Sequence, residues 1–444
     1  MAAGSAGITP RAALSTIFCR PPTRLRPRGG TYVLSSKGST DLTSGTPAAP
    51  ATPAERTDPR AAQATFVSVL ALLLSTGWVA NHFVALMPVI SDRQHLDATR
   101  LDAIFAIYAL GLLPGLLVGG RLSDALGRQA VALAGATATL VGSVAMLVSQ
   151  QPDVLLVGRL VVGIGVGLLM SSCTAWASDL KGPAGAGTAG AVLLGGFAIG
   201  PFAAGLIARY GQPGVRWSFA LAAALVVAAM VFSVVAVRRG NATAPTPAHD
   251  WEPSAAARQG TAWALGWAMP LAPWVFASAT LGFITIPARV HTGLAAPLAA
   301  GGATLIVNGV SGGIQVLARA RRWGPQAGTA GAVLAALGYA VTAVAPPTMS
   351  LPLGLSVFLI LGCASGLCLR DGLIDLEAAA PRRLRGALVG AFYVVTYIGF
   401  GLPLVLTTVG PAPSAAILAT MAVLALATAV IRAVRLRRVA HRRH

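Results

Sequence analysis

Long apolar runs separated by short polar breaks occupy most of this chain. A run of about 18 or more apolar residues is long enough to cross a hydrocarbon core about 30 Å thick. A helix satisfies its own backbone polar groups in lipid, so we expect each run to be helical. Twelve spans are predicted, at residues 64–90, 101–119, 130–149, 153–174, 187–208, 216–237, 263–288, 296–318, 326–345, 351–369, 385–408 and 412–431.

Two polar segments organise these spans. Residues 1–62 are rich in Pro, Ser, Thr, Gly and Arg without apolar periodicity, so we expect a disordered tail, although its acid-free start also resembles a transit peptide. The break at 238–262 is expected to be a cytoplasmic central loop. The pattern therefore predicts an all-α polytopic membrane protein with twelve transmembrane helices in two six-helix, pseudo-symmetric halves, 63–237 and 263–431, before a basic tail at 432–444.

Composition and charge exclude an ordinary soluble protein. The 444 residues are 55% hydrophobic and 11% charged, against about 25% charged in soluble domains. The net charge of +19 is unevenly distributed, because only five of the 33 Lys and Arg residues lie in connections on the side opposite the N-terminus. This asymmetry predicts that both termini are cytoplasmic, and the arginine-rich composition is typical of a bacterial plasma membrane protein.

A charged, glycine-containing loop follows the second predicted span. Twelve spans, a central loop and this G-x-L-x-D-x-x-G-R pattern together resemble the major facilitator superfamily, whose signature occupies the same place. The chain departs from that signature at Ala125 and Gln129. The matching positions are Gly120, Leu122, Asp124, Gly127 and Arg128.

The resemblance implies a cytoplasmic gate formed by Gly120, Asp124, Gly127 and Arg128. It also implies that Asp124 faces the start of the eleventh helix at 385–386, where the helix dipole favours an acid. The alternative is a static surface pair between Asp124 and Arg128.

The fifth span carries a second pattern, formed by Gly196, Gly200, Pro201 and Gly205. It looks like the g-x-x-x-G-P-x-x-G-G element of the family's antiporters, with Ala204 in place of one glycine. Glycines at these spacings allow helix backbones to approach closely. The alternative is generic packing of small residues.

Arg159 and His82 are the candidates for proton coupling. Arg159 resembles the arginine of the family's R-x-x-x-G element, and an arginine at membrane depth costs at least about 2.5 kcal/mol unless it faces water or a partner. The alternative is that Arg159 extends to the outer surface. All fourteen acids are assigned to loops, tails or span ends, with Asp102 and Asp153 nearest to membrane depth. An imidazole titrates near neutral pH, so His82 is the other candidate, although it also fits a simple helix contact.

Polar and aromatic side chains within the spans are the candidates for a substrate cavity. A cavity with few charges suits a small amphipathic molecule better than a sugar or a phosphate. The candidates are Asn81, Trp274, Asn308, Gln315, Tyr393 and Tyr397, together with Trp176 and Phe283.

We expect a monomeric, non-enzymatic transporter that exports such a molecule in exchange for protons by alternating access. An uncoupled facilitator or an uptake carrier remains open, and a non-transporting membrane sensor is the remaining alternative. No residue spacing predicts a metal, a cofactor or nucleic-acid binding, and the basic tail is expected to contact anionic lipids.

Overall fold

The computed structural model describes residues 59–239, 255–379 and 385–441. Twelve helices in these ranges are long and apolar enough to cross a membrane, which confirms the predicted all-α architecture of two six-helix halves. They are α1 (Arg60–Gln94), α2 (Ala98–Leu126), α3 (Arg128–Val148), α4 (Pro152–Gly182), α5 (Ala184–Ala208), α6 (Gln212–Arg239), α7 (Gly260–Arg289), α8 (Ala296–Ala320), α9 (Gln326–Val344), α10 (Leu351–Ala378), α11 (Leu388–Val409) and α12 (Pro411–Val439).

Several helices extend beyond the predicted apolar runs. The helix that contains α10 continues to Ala379, and the helix that contains α12 continues to His441, through most of the predicted basic tail. Helical structure also begins at Pro59 and resumes at Ala255, inside the segments predicted as tail and central loop. An apolar run marks only the part of a helix that hydrocarbon surrounds. The charged ends of the same helix are therefore not included in the predicted span. The expectations for residues 1–58 and 240–254 lie outside the described residues.

Three spans are interrupted near their middle, and all three contribute to the region between the halves. Prolines at 270 and 403 lack the amide proton that an uninterrupted helix needs. The interruptions are a turn at His82 in α1, a 3₁₀ turn at Met269–Leu271 and a π turn at Leu281–Thr285 in α7, and a 3₁₀ turn at Gly399–Gly401 in α11.

The connections α2–α3, α4–α5, α8–α9 and α10–α11 lie at one end of the bundle, together with both ends of the described chain. We call this the basic end, because it carries most of the Lys and Arg residues, and the opposite one the far end. The sharp turn between α4 and α5 is made at Gly182, whose φ of +61° lies in the left-handed region that favours glycine.

One face of α5 packs against α1 within the N-terminal half. A Cβ atom placed on Gly196 would lie 2.9 Å from the Cα of Gly77, closer than real Cβ contacts. Gly200 meets the Trp78 backbone in the same way, since a Cβ there would lie 2.8 Å from the Trp78 Cα. The two backbones therefore touch directly, as in other small-residue helix pairs in membranes.

The opposite face of α5 packs against α8 and so joins the two halves. Gly205 lies against the Pro297 carbonyl at the far end, and Gly301 lies against the Pro201 carbonyl one turn further in. Near the basic end, a Cβ on Gly187 would lie 3.4 Å from the Arg319 guanidinium. The pattern formed by Gly196, Gly200, Pro201 and Gly205 thus serves two contacts on opposite faces of one helix.

A second seam between the halves runs between α2 and α11. Near the basic end, a Cβ on Gly390 would lie 3.4 Å from the Leu117 side chain. At the far end, the buried Asp102 carboxylate faces the Thr407 hydroxyl. Both seams are in contact towards both ends of the bundle, so the structure shows a closed arrangement of the halves.

The α1–α5 contact predicts that two adjacent glycines differ in their tolerance of a methyl group. Gly196→Ala places a methyl group against the α1 backbone, and overpacking of this kind costs about 1–3 kcal/mol. We expect a lower melting temperature in detergent, measured by thermal unfolding with light-scattering detection. Gly195→Ala is the matched control, because no atom lies within 4 Å of a Cβ placed there. Equal melting temperatures for the two variants would contradict the described contact.

Candidate functional site

A small cavity lies between the halves at the level of the helix interruptions. Its volume is about 20 Å³, room for about one water molecule. Four of its ten lining residues are phenylalanines, and four are small or amide polar residues. The lining residues are Asn81, Leu194, Phe197, Phe276, Phe283, Asn308, Ser311, Ser365, Leu369 and Phe400.

Two of the predicted cavity residues, Asn81 and Asn308, lie in this wall. The Asn308 amide donates a hydrogen bond across the seam to the Phe197 carbonyl at 3.1 Å. The Asn81 side-chain oxygen is buried and has no hydrogen-bond partner among the described residues. Phe283, which the sequence also indicated, is a third lining residue.

The other predicted cavity residues are not among the residues that line the cavity. Trp274 packs against Tyr339 within the C-terminal half, with 6.0 Å between ring centroids. Gln315 is partly buried on α8. Tyr393 and Tyr397 share one face of α11, as their spacing predicts, with centroids 6.4 Å apart.

A layer of aromatic rings closes the space between the halves, and sequence reasoning missed most of it. Phe105 of α2 stacks on Phe400 of α11, with centroids 5.3 Å apart and planes at 11°. Tyr108 lies 6.1 Å from Phe400, and Phe105 lies 6.4 Å from Phe283. Phe276 contacts Phe400 from the C-terminal side at 5.2 Å. Rings of both halves therefore meet face to edge and face to face around the cavity.

Arg159 lies on the N-terminal side of this layer. Its side chain is fully buried, which excludes the alternative that it extends to the outer surface. The guanidinium donates one hydrogen bond, from Nη1 to the Ala80 carbonyl at 3.0 Å, beside the interruption of α1. Rings surround it, with centroids at 4.4 Å for Tyr108, 4.9 Å for Phe83 and 5.9 Å for Phe105. Such contacts stabilise a desolvated cation by cation–π attraction.

His82 occupies the interruption of α1 itself and is fully buried. Its Nδ1 lies 3.0 Å from the Val79 carbonyl, and its ring meets Phe219 edge to face with centroids 5.3 Å apart. The other ring nitrogen, Nε2, has no partner in the described part of the chain.

The predicted gate residues form an exposed charge cluster at the basic end of the N-terminal half. Arg128 contacts the Asp124 carboxylate at 2.6 Å and the Asp179 carboxylate of α4 at 2.8 Å. Its Nη1 also donates to the Ser123 hydroxyl at 2.7 Å. Gly127 permits the turn into α3 with a φ of +94°. Asp179, which the sequence analysis did not select, thus completes a link among α2, α3 and α4.

Asp124 finds its partner within its own half. The expectation that it faces the start of the eleventh helix concerns residues 385–387, whose side chains lie outside the described residues. Gly120 lies beside an open space, since a Cβ there would meet nothing within 4 Å.

A second charge cluster holds the basic end of the C-terminal half, and it is buried. Arg432 of α12 contacts the Asp375 carboxylate at 2.7 Å and the Asp371 carboxylate at 3.9 Å. It also donates to the Trp267 carbonyl of α7 at 3.1 Å. Asp371 accepts from the Gly328 amide of α9 at 2.5 Å. The prediction that all acids lie in loops, tails or span ends is therefore wrong for Asp371 and Asp375, because α10 continues past its apolar run and carries both into the protein interior.

Within the described ranges, no three His, Cys, Asp or Glu residues are grouped as metal ligands. The positions that are buried and polar near the cavity are instead an arginine, a histidine and amides. Groups of these kinds can donate and accept hydrogen bonds, and an imidazole can also take up a proton.

Comparison with known proteins supports this architecture. The chain is 34% identical to the 3-(3-hydroxy-phenyl)propionate transporter of Escherichia coli (strain K12) over 93 residues, which are 21% of this chain and 23% of that protein. It is 33% identical to multidrug resistance protein MdtL of Citrobacter koseri over 98 residues, 22% of this chain and 24% of that one. The alignments thus span about a quarter of these relatives.

Solved structures show the same fold. The crystal structure of a peptide transporter POT in complex with sulfate superposes with a TM-score of 0.69 at 16% identity, over 84% of this chain and 94% of that chain. The family model of the Major Facilitator Superfamily matches residues 66–404, which include the gate loop, Arg159 and the glycine pattern of α5. The chain belongs to the Major Facilitator Superfamily.

Proposed function

We propose that the protein moves a small amphipathic molecule across the plasma membrane by alternating access, as a monomer with both termini in the cytoplasm. The observation that carries this proposal is the cavity between the two halves, which is walled by rings and a few amides. Separation of the halves at one end would open the cavity to one side of the membrane. Apolar walls with few polar groups suit an amphipathic cargo.

Proton-coupled efflux is the favoured mode. The glycine pattern of α5 is similar to the antiporter element, and the MdtL relatives carry the name of multidrug resistance proteins. An uncoupled facilitator or an uptake carrier is the second candidate, because no carboxylate is among the residues that line the cavity. The name of the Escherichia coli relative adds an aromatic acid to the molecules worth testing.

Three buried groups are candidates for proton coupling. Arg159 and His82 lie beside the interruption of α1, and the structure adds Asp102 at the far end of the α2–α11 seam. Asp102 lies between the halves, so opening of the far end would expose its carboxylate to water and closing would remove it. Asp102 can therefore take up a proton while the far end is open, and release of that proton on the other side would require transfer to a second group, for which His82 is the candidate.

The two charge clusters have different roles in this proposal. The exposed cluster around Arg128, which includes Gly120, Asp124 and Gly127, acts as the cytoplasmic gate. The buried cluster around Arg432 holds α7, α9, α10 and α12 together and keeps the C-terminal half rigid. The exposed arginines at the end of the last helix contact anionic lipid headgroups.

Transport in inverted membrane vesicles tests the mode. We expect accumulation of some members of a panel of lipophilic cations, neutral drugs and aromatic acids while an interior-acid pH gradient is present. An ionophore that collapses the gradient should abolish the accumulation, and Asp102→Asn should weaken its dependence on the gradient. Equilibration without accumulation, indifferent to the gradient, would identify a facilitator and remove the coupling roles.

The gate proposal predicts that Asp124→Asn lowers the initial transport rate by about tenfold, which corresponds to a conformational step slowed by about 1.4 kcal/mol. The melting temperature should barely change, because a half-exposed ion pair contributes at most about 1 kcal/mol. Asp153→Asn is the matched control, since it removes an exposed acid at the far end. A wild-type rate for Asp124→Asn would contradict the gate.

The buried cluster predicts a large effect on stability instead. Asp371→Asn removes the buried carboxylate that contacts Arg370 at 2.6 Å and Arg432 at 3.9 Å, and breaking a buried ion pair costs about 3–5 kcal/mol. We expect its melting temperature in detergent to fall well below that of Asp124→Asn, the same chemical change in the exposed cluster. Equal melting temperatures would show that the C-terminal cluster does not brace its half.

A further inference from the structure

We propose that Arg159 binds a carboxylate of the transported molecule and that this molecule is a small aromatic acid. The inference rests on the proposed transport function and names the chemical class of its cargo. Three observations carry it: the unmatched charge of Arg159, the orientation of its free donors, and the rings that cover it.

The charge of Arg159 has no counter-ion within the described residues. No Asp or Glu oxygen in these ranges lies within 4.0 Å of its guanidinium. Arg432 is a second buried arginine with which Arg159 can be compared. Arg432 contacts two carboxylates and two backbone carbonyls. A buried arginine requires an anion or equivalent hydrogen bonds to offset its lost hydration. The described residues supply Arg159 with three rings and one carbonyl but with no anion, so an anion that pairs with it comes from outside them.

The free donors of Arg159 are those that fit a carboxylate. Nη1 is occupied by the Ala80 carbonyl, whereas Nε and Nη2 are buried without a partner among the described residues. The N–H groups of Nε and Nη2 point in parallel from one edge of the guanidinium. Two parallel donors on one edge match the two oxygens of a carboxylate in a bidentate pair.

The rings beside Arg159 connect it to the cavity. Phe105 and Tyr108 lie over the guanidinium and also contact Phe400 of the opposite half. When the halves separate, these two rings lose their partner and their edges face the open cavity. An aromatic ring of the cargo would then occupy the place of Phe400, with its carboxylate on Arg159.

Further unpartnered polar atoms lie in the same part of the N-terminal half. The Tyr108 hydroxyl, the Asn81 oxygen and the His82 Nε2 are all buried without a partner in the described ranges. Asn81 and His82 follow directly on Ala80, whose carbonyl Arg159 holds. A cargo that carries a hydroxyl group in addition to the carboxylate would find hydrogen-bond partners there.

Equilibrium binding to the purified full-length protein tests the proposal with a matched series of probes. The probes are phenylacetate, 2-phenylethanol and 2-phenylethylamine, which share a ring and differ in charge, with acetate as the probe without a ring. We expect phenylacetate to bind at least about tenfold more tightly than the alcohol, as a charge-assisted bidentate pair allows. The amine and acetate should bind more weakly still.

Variants assign the binding to Arg159. Arg159→Gln should abolish the preference for phenylacetate over the alcohol, and Arg159→Lys should reduce it, because lysine keeps the charge without the parallel donors. Arg209→Gln is the matched control, since Arg209 is an exposed arginine over the Tyr210 ring at 4.8 Å. Its affinities should equal those of the wild type.

Several outcomes would overturn the proposal. Equal binding of phenylacetate and the alcohol by the wild-type protein would exclude a carboxylate site, even if Arg159→Gln fails to fold. Acetate or chloride that binds as tightly as phenylacetate would reveal a small-anion site without aromatic selectivity. Vesicle transport separates this proposal from the previous one. Binding of phenylacetate without transport of any probe would support the carboxylate site and contradict the proposed transport. Transport of cations alone would support the proposed transport and contradict the carboxylate site.

Discussion

The direct contact of α5 with α1 on one face and with α8 on the other is the packing on which the bundle depends. Between membrane helices the hydrophobic effect contributes little, so association relies on close backbone approach and on polar contacts. Gly196 and Gly205 provide that approach on opposite faces of the same helix. One side of α5 thus fixes the N-terminal half internally, and the other forms the seam along which the halves meet.

The two halves each bury an arginine, and the surroundings of the two side chains differ. Arg432 is surrounded by acids and carbonyls and ties four helices together at the basic end. Arg159 sits among rings, and two of its three guanidinium nitrogens have no partner in the described part of the chain. A charge with complete partners stabilises an arrangement, whereas a charge without them favours whatever anion reaches it. The first arrangement is suited to a rigid half, and the second to a binding site.

The sequence predicts the fold well because hydrocarbon thickness fixes the length of each apolar run. It also indicates Asn81 and Asn308, since isolated amides stand out in such runs. It fails for Asp371, because the apolar run ends at the first charged residue while the helix continues to Ala379. It fails for Phe105 and Phe400, because a phenylalanine that faces lipid and one that faces the opposite half look alike in sequence. Their contact joins residues almost 300 positions apart, which no local pattern records.

The ring layer couples access to the centre with movement of the halves. Phe105 and Phe400 come from opposite halves and stack with ring centroids 5.3 Å apart, and the cavity beside them has a volume of about 20 Å³. An organic molecule is larger than this cavity, so it can enter only when the stacked rings part. Loading of the centre and separation of the halves are therefore one event, and a substitution that loosens this stack would change both together.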